Sequence, residues 1–111
     1  MNVLEILDKA DVLTGQRVEV EGFLVYLMRS YYLAPNSASK ELMERSVLMA
    51  DQDAVKQLRG RVSMWVGGPA YQDEVRVTGV IRRSSVSPFP LQLDAVSSFV
   101  LTRNGETFQV V

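Results

Sequence analysis

The chain contains 111 residues, neither cysteine nor histidine, and a formal net charge of −1. This length suits one domain with a single hydrophobic core, and no apolar run approaches the ~20 residues that a transmembrane helix requires. The composition excludes disulfides and thiol catalysis, removes the usual nitrogen and sulfur ligands of metals, and argues against a protein that coats nucleic acid through bulk charge.

The first predicted element is a short amphipathic helix over residues 2–13. Its apolar face contains Leu4, Ile6 and Leu7. Asn2 and Glu5 have the spacing of a capping box, in which each side chain accepts a hydrogen bond from the backbone of the other residue. Acidic side chains at Glu5 and Asp8 stand where a signal peptide carries basic residues, so we expect a cytoplasmic protein.

Two β-strands with a glycine near the middle organise the rest of the chain. Residues 18–27 read V-E-V-E-G-F-L-V-Y-L, so charged and apolar residues alternate up to Gly22 and bulky residues follow it. Residues 75–81 repeat the pattern as V-R-V-T-G-V-I around Gly79. A glycine inside a strand weakens it unless the chain bends there or admits a close neighbour. The two strands therefore predict a small, strongly coiled barrel.

A second and a third strand are predicted between these two. The chain reverses over 27–31, and a strand over 32–34 stops at Pro35, because proline cannot donate a ladder hydrogen bond. Turn-forming residues follow at 36–39. Residues 45–50, R-S-V-L-M-A, then form the third strand.

A helix is predicted from Asp51 to about Gly60. Asp51 is a suitable N-cap, Asp53 in the first turn complements the helix dipole, and Gly60 is placed to end the helix. Residues 62–66 are compatible with a continued helix or an extra strand. A break follows at residues 67–69, G-G-P.

The C-terminal third is predicted to hold three strands. The strand over 74–83 leads through a loop over 84–90 with two prolines into a long strand over 91–101. Inward positions of this long strand are Leu91, Leu93, Ala95 and Val96. The Asn-Gly pair within 103–106 suits a two-residue hairpin turn, so 107–111 returns as a final strand.

This order of elements resembles the OB-fold, the oligonucleotide/oligosaccharide-binding fold, a five-stranded Greek-key barrel with a helix between strands three and four. The fold class is therefore mainly β, in one OB-like domain over 1–111. It consists of an N-terminal helix (1–13), the barrel (14–102) and a hairpin extension (103–111). The resemblance makes the first and fourth strands neighbours. It would place Gly22 near Gly79, and Glu19 or Glu21 opposite Arg76.

Catalysis is not expected, because the usual general bases and thiol nucleophiles are absent. Asp51 and Asp53 have the spacing that begins a calcium loop, but the glycine required at the sixth position is missing. The Gly67-Gly68 pair lacks the Lys-Ser/Thr of a phosphate-binding loop. We therefore expect no enzyme, no cofactor and no metal.

The resemblance implies a ligand groove across strands two and three, between the loop at 27–31 and the loop at 82–90. The candidate ligand-binding residues there are Tyr26, Arg29, Tyr31, Tyr32, Arg82, Arg83 and Phe89. A groove with aromatic residues and arginines but no acid suits single-stranded nucleic acid, because bases stack on the aromatic rings and phosphates pair with the arginines. The same residues are also compatible with structural roles: the tyrosines as core or rim residues, and Phe89 as a pin for its loop.

The preferred functional prediction is a non-catalytic binding module that mediates protein–protein contacts. The alternative is single-stranded DNA or RNA binding in the predicted groove. The strand Thr107–Val111 contains no proline and no charged side chain. At a sheet edge, such a strand would pair with a protein partner or with a second copy of the chain.

Overall fold

The computed structural model describes residues 1–27, 29–36, 42–61, 71–103 and 105–111. These residues form, in chain order, the helices α1 (Val3–Asp8) and α2 (Ala10–Leu13), strands β1 (Arg17–Leu27) and β2 (Ser30–Ala34), a 3-10 helix (Met43–Arg45), strand β3 (Val47–Met49), helix α3 (Gln52–Arg61), and strands β4 (Tyr71–Arg83), β5 (Leu91–Arg103) and β6 (Glu106–Gln109). Among them, no helix is long and apolar enough to cross a membrane.

Strands β1 to β5 form a closed barrel. β1 pairs antiparallel with both β2 and β4, β2 pairs with β3, and β4 pairs with β5. A parallel pairing of β3 with β5, which joins Val47 to Leu91 and Met49 to Leu93, closes the ring. β6 adds a sixth strand beside β5. The predicted mainly-β barrel, with a helix between the third and fourth strands, is confirmed.

Two hydrophobic clusters lie on the two faces of the barrel sheet. The interior cluster includes Val20, Leu24, Leu33 and Phe99. A smaller cluster lies on the other side of the sheet and contains Val25, Tyr32, Ala34, Leu48 and Phe89. Because Leu24 enters the interior and Val25 the smaller cluster, β1 needs apolar residues on both faces after Gly22. The change of pattern at that glycine is thereby explained.

The glycines of β1 and β4 lie in paired strands but not beside each other. Gly22 is opposite Val75, and Gly79 is opposite Val18. The predicted proximity of the two glycines is wrong, because a shared fold specifies neighbouring strands without specifying their register. The predicted pairing of Glu21 with Arg76 is confirmed.

Strand β5 bulges where it passes Gly79. The register with β4 shifts between Thr78 and Val80, and Ala95 has a left-handed φ of 48°. Ala95 is exposed, so its predicted inward orientation is wrong. The bulge interrupts the alternation that the sequence pattern assumed, which resumes beyond it with Phe99 and Leu101 buried. Arg17 Nη1 donates to the Ala95 carbonyl at 2.8 Å and holds the bulge from outside.

The N-terminal helix differs from its prediction in two respects. It divides at Lys9 into α1 and α2, and Leu4 is 48% exposed while Val3 and Ile6 are buried. The buried pair has the three-residue spacing of one helix face, from which Leu4 is rotated by about 100°. The capping box is confirmed: Glu5 N–H donates to Asn2 Oδ1 at 2.9 Å.

Helix α3 begins as predicted and ends later. Asp51 Oδ1 accepts hydrogen bonds from the backbone N–H groups of Asp53 and Ala54, which confirms the N-cap. The helix extends to Arg61, one residue beyond the predicted end near Gly60, so Gly60 lies inside the helix and does not end it. The predictions for residues 62–66 and 67–69 lie outside the described residues.

Candidate binding groove and sheet edge

A groove with a volume of about 350 Å³ lies beside the start of α3. Its walls come from the turn between β1 and β2, from β3, from the first turns of α3 and from the loop between β4 and β5. The lining residues are Arg29, Ser30, Tyr31, Leu48, Met49, Ala50, Gln52, Val55, Arg59, Ser85, Val86 and Gln92. The groove therefore lies between the two loops from which the sequence predicted a ligand site.

Arg29 occupies a tight turn at one end of the groove. Leu27 is opposite Ser30, so β2 begins earlier than predicted and the reversal over 27–31 is shorter. Arg29 has a φ of 65° and an exposed side chain. A left-handed conformation costs a non-glycine residue about 1–2 kcal/mol. An arginine is therefore held at a position where glycine or asparagine would be less strained.

Tyr31 and Arg59 both line the groove and contact each other. Arg59 Nε donates to the Tyr31 hydroxyl at 3.0 Å, and its guanidinium carbon lies 5.2 Å from the centroid of the Tyr31 ring. The hydrogen bond to Tyr31 raises the pKa of Arg59, which is already charged at any physiological pH. Tyr26 stacks on Tyr31 with the ring centroids 4.4 Å apart.

Sequence reasoning did not include Arg59 in the site. The three-residue spacing of Val55 and Leu58 is that of one helix face, and both residues are buried. It did not indicate where the neighbouring arginine would reach, because that depends on how α3 is docked against β2. The Tyr31 hydroxyl can accept a hydrogen bond from an arginine. No local sequence pattern connects it to Arg59, which is 28 positions away along the chain.

Arg82 and Arg83 lie outside the groove and face acids. Arg82 Nε is 3.5 Å from Asp94 Oδ2, and Arg83 forms a salt bridge with Asp11. The predicted acid-free surroundings of these two arginines are therefore wrong. Pairing of β4 with β5 brings Asp94 alongside, and α2 carries Asp11 to the end of β4. Both positive charges are locally compensated.

Tyr32 and Phe89 pack against each other in the smaller cluster. Their ring centroids are 5.2 Å apart with an interplanar angle of 54°, and both residues are buried. This placement matches the structural alternative given in the sequence analysis, in which Tyr32 is a core residue and Phe89 pins its loop. Tyr31 is only 7% exposed as well. Little ring surface is thus open for base stacking, and ligand contact by any predicted residue stays a prediction.

Charge in the groove comes from Arg29 and Arg59. None of the described lining residues is acidic. Polar groups come from Ser30, Gln52, Ser85 and Gln92, and the open apolar surface comes from Val86, because Leu48 and Val55 are buried. The groove is therefore basic and amphipathic. Such a surface suits a ligand that carries both anionic and apolar groups.

The second candidate surface is the outer edge of β6. Among the described residues, β6 pairs with β5 alone. Val110 N–H donates to the Phe99 carbonyl at 2.8 Å, so alternate residues Glu106, Phe108 and Val110 direct their backbone groups toward β5. The backbone groups of Thr107 and Gln109 consequently point away from the barrel, and both residues are exposed.

Comparison with protein-family models, curated proteins and solved structures finds no match for this chain. Among the described residues, no three side chains of histidine, cysteine, aspartate or glutamate are grouped as metal ligands would be.

Proposed function

We propose that this protein is a non-catalytic binding module built on an OB-fold-like barrel, and that it acts through contacts with other proteins. The barrel order β1-β2-β3-β5-β4, with α3 between β3 and β4, supports the OB-like assignment. Because this fold serves many functions, the functional argument depends on its surfaces. The observation that carries it is the outward backbone of Thr107 and Gln109 on β6.

An unpaired strand edge offers backbone donors and acceptors to another strand. In an antiparallel pairing of two copies of β6, Thr107 of one copy is opposite Gln109 of the other, and the two Phe108 side chains face each other. No charged side chain lies among residues 107–109, so like charges do not oppose this pairing. The contact is self-complementary, as a twofold dimer requires.

Replacing Thr107 by proline is expected to abolish self-association and leave the barrel folded. Proline removes the outward N–H of residue 107 without removing a bond to β5. Sedimentation velocity across a concentration series measures the change, and circular dichroism verifies the fold. Thr107→Val is the matched control, because it keeps the N–H and should associate as the parent does. A parent that stays monomeric throughout the series contradicts self-pairing.

Single-stranded nucleic acid binding is the second candidate, favoured by the acid-free groove with Arg29 and Arg59. Two phosphate contacts predict that log affinity falls with log salt with a slope of about 1–1.5. Fluorescence anisotropy with labelled oligo-dT at low salt measures the slope, which Arg59→Gln should reduce by roughly half. The protein-contact function predicts no binding of this oligonucleotide, because the buried rings provide little stacking energy.

A further inference from the structure

Resting on the proposed protein-contact function, we infer that the groove beside α3 binds an extended acidic peptide in which carboxylates alternate with apolar side chains. This site is separate from the edge of β6 and recognises side chains rather than backbone groups. Its occupant is a segment of another protein. Three properties of the groove support this ligand: its charge, its apolar lining and the rigidity of its walls.

The charge of the groove selects carboxylates. Arg29 and Arg59 line it, and none of the described lining residues is acidic. The bond to the Tyr31 hydroxyl uses one of the five N–H donors of Arg59 and fixes the orientation of its guanidinium. A planar guanidinium matches the geometry of a carboxylate through two parallel hydrogen bonds. The groove thus contains one oriented cation and a second cation at the turn.

The apolar lining selects side chains between the acids. Val86 is 45% exposed and lines the groove. Leu48 and Val55 also line the groove, but both are buried, so Val86 provides the open apolar surface. Successive side chains of an extended peptide point in opposite directions. Acids on one side of the peptide can therefore meet the arginines while apolar residues on the other side contact Val86.

The wall that carries Val86 is held in place before any ligand arrives. Val86 N–H donates to the Ser84 hydroxyl oxygen at 3.0 Å, and Phe89 N–H donates to the Val86 carbonyl at 3.0 Å. The Phe89 ring anchors the same loop in the smaller cluster. A preformed wall reduces the entropy that a bound peptide must remove. The loop is therefore preorganised to contact a bound peptide.

A peptide fits this groove better than a nucleic acid strand does. Stacking requires open ring faces, but Tyr31, Tyr32 and Phe89 are buried. A phosphate backbone also needs a continuous basic track, whereas Arg82 and Arg83 are paired with acids. Arg29 and Arg59 form no such track, and they match discrete carboxylates on a peptide.

The test is a binding measurement by fluorescence anisotropy. The probe is a short labelled peptide in which Asp and Glu alternate with Leu and Phe. Two matched probes are the same peptide with Asn and Gln in place of the acids, and a labelled oligo-dT. We expect the acidic peptide to bind and to weaken with salt. The amide peptide should bind at least about tenfold more weakly, because it lacks charge-assisted hydrogen bonds.

Variants locate the peptide. Arg59→Gln and Arg29→Asn should each weaken the acidic peptide by about three- to tenfold. Asparagine suits residue 29 because it tolerates a left-handed φ. Arg61→Gln is the control: it removes an exposed arginine from the same helix that does not line the groove, and it should leave the affinity unchanged.

Three results would overturn the inference. They are equal binding of the acidic and amide peptides, an affinity that neither arginine variant changes, and an oligo-dT that binds more tightly than the peptide with the same arginine dependence. Thr107→Pro separates the two proposals. If it abolishes peptide binding while Arg59→Gln does not, the peptide lies on β6, which supports the proposed function and excludes the groove. Arginine-dependent binding without self-association leaves the groove supported and removes the β6 dimer.

Discussion

Replacing Gly79 by alanine is expected to lower the free energy of unfolding by about 2–3 kcal/mol, and valine should cost more. A Cβ at this position would lie 2.7 Å from the backbone carbonyl oxygen of Asp94 and 3.0 Å from Leu93 Cγ. The carbonyl belongs to β5 at its bulge and can move away only if the pairing of β4 with β5 changes. The strain therefore cannot be relieved by rotating a side chain.

Thermal and urea denaturation measure this effect. For a domain of this size, the alanine variant should melt about 10 °C below the parent. Gly60→Ala is a control with the opposite sign. No atom of the described residues lies within 4 Å of a Cβ at residue 60, and alanine in an exposed helix should stabilise by about 0.5–1 kcal/mol. A Gly79→Val variant that melts with the parent would contradict the close approach of β5.

Gly22 provides a graded comparison. A Cβ there would lie 2.9 Å from the Ala34 carbonyl oxygen and 3.0 Å from Val3 Cγ2. The closest atom is again a strand carbonyl, but its contact is longer than the 2.7 Å at residue 79. We therefore expect Gly22→Ala to destabilise the protein in the same direction as Gly79→Ala, by a smaller amount.

The sequence predicted the barrel because its signals are local. Alternation in 18–21, the mid-strand glycines and the Asn-Gly turn each require only a few neighbouring residues. The register of β1 with β4 and the bulge at Ala95 depend on contacts between distant segments. The register was predicted only in part, through the pairing of Glu21 with Arg76, and the bulge was not predicted. Helix α1 was placed correctly, but its buried face was assigned to Leu4 rather than Val3.

The candidate site was predicted less completely than the barrel. Arg29 and Tyr31 were assigned to a common groove and do line one. The sequence did not show that Arg82 and Arg83 are paired with acids, because their acidic partners are 12 and 72 residues away along the chain. Loop composition alone therefore overstates the positive charge of the predicted groove, because tertiary packing decides which arginines are paired with acids.

Replacing Asp51 by alanine is the second change with a large expected effect, about 2–4 kcal/mol of unfolding free energy. Oδ1 of Asp51 caps α3 through Asp53 and Ala54, and Oδ2 accepts a hydrogen bond from Val96 N–H at 2.8 Å. Val96 belongs to the bulge of β5, where neither β3 nor β6 pairs with it. One carboxylate thus caps a helix and satisfies a backbone donor in a gap of the barrel.

Asp51→Asn separates these two contributions. Asparagine is as good an N-cap as aspartate, so the bonds to α3 should survive. Its amide NH₂ would then face the Val96 N–H, donor against donor, and only the bond to β5 is lost. We expect a cost of about 1–2 kcal/mol, between that of Asp51→Ala and that of Asp53→Ala. The latter removes an exposed acid from the first helical turn and should cost less than about 1 kcal/mol.

Urea denaturation ranks the three variants, and amide hydrogen exchange at Val96 identifies the mechanism. Exchange at Val96 should accelerate in both Asp51 variants and stay unchanged in Asp53→Ala. An Asp51→Ala variant no less stable than Asp53→Ala would show that the carboxylate contributes only a helix charge.

Because α3 also carries Arg59, loss of the Asp51–Val96 bond frees the start of the helix that orients this guanidinium over Tyr31. The folded Asp51→Asn variant is therefore expected to bind the acidic peptide more weakly than Asp53→Ala does, although neither residue lines the groove.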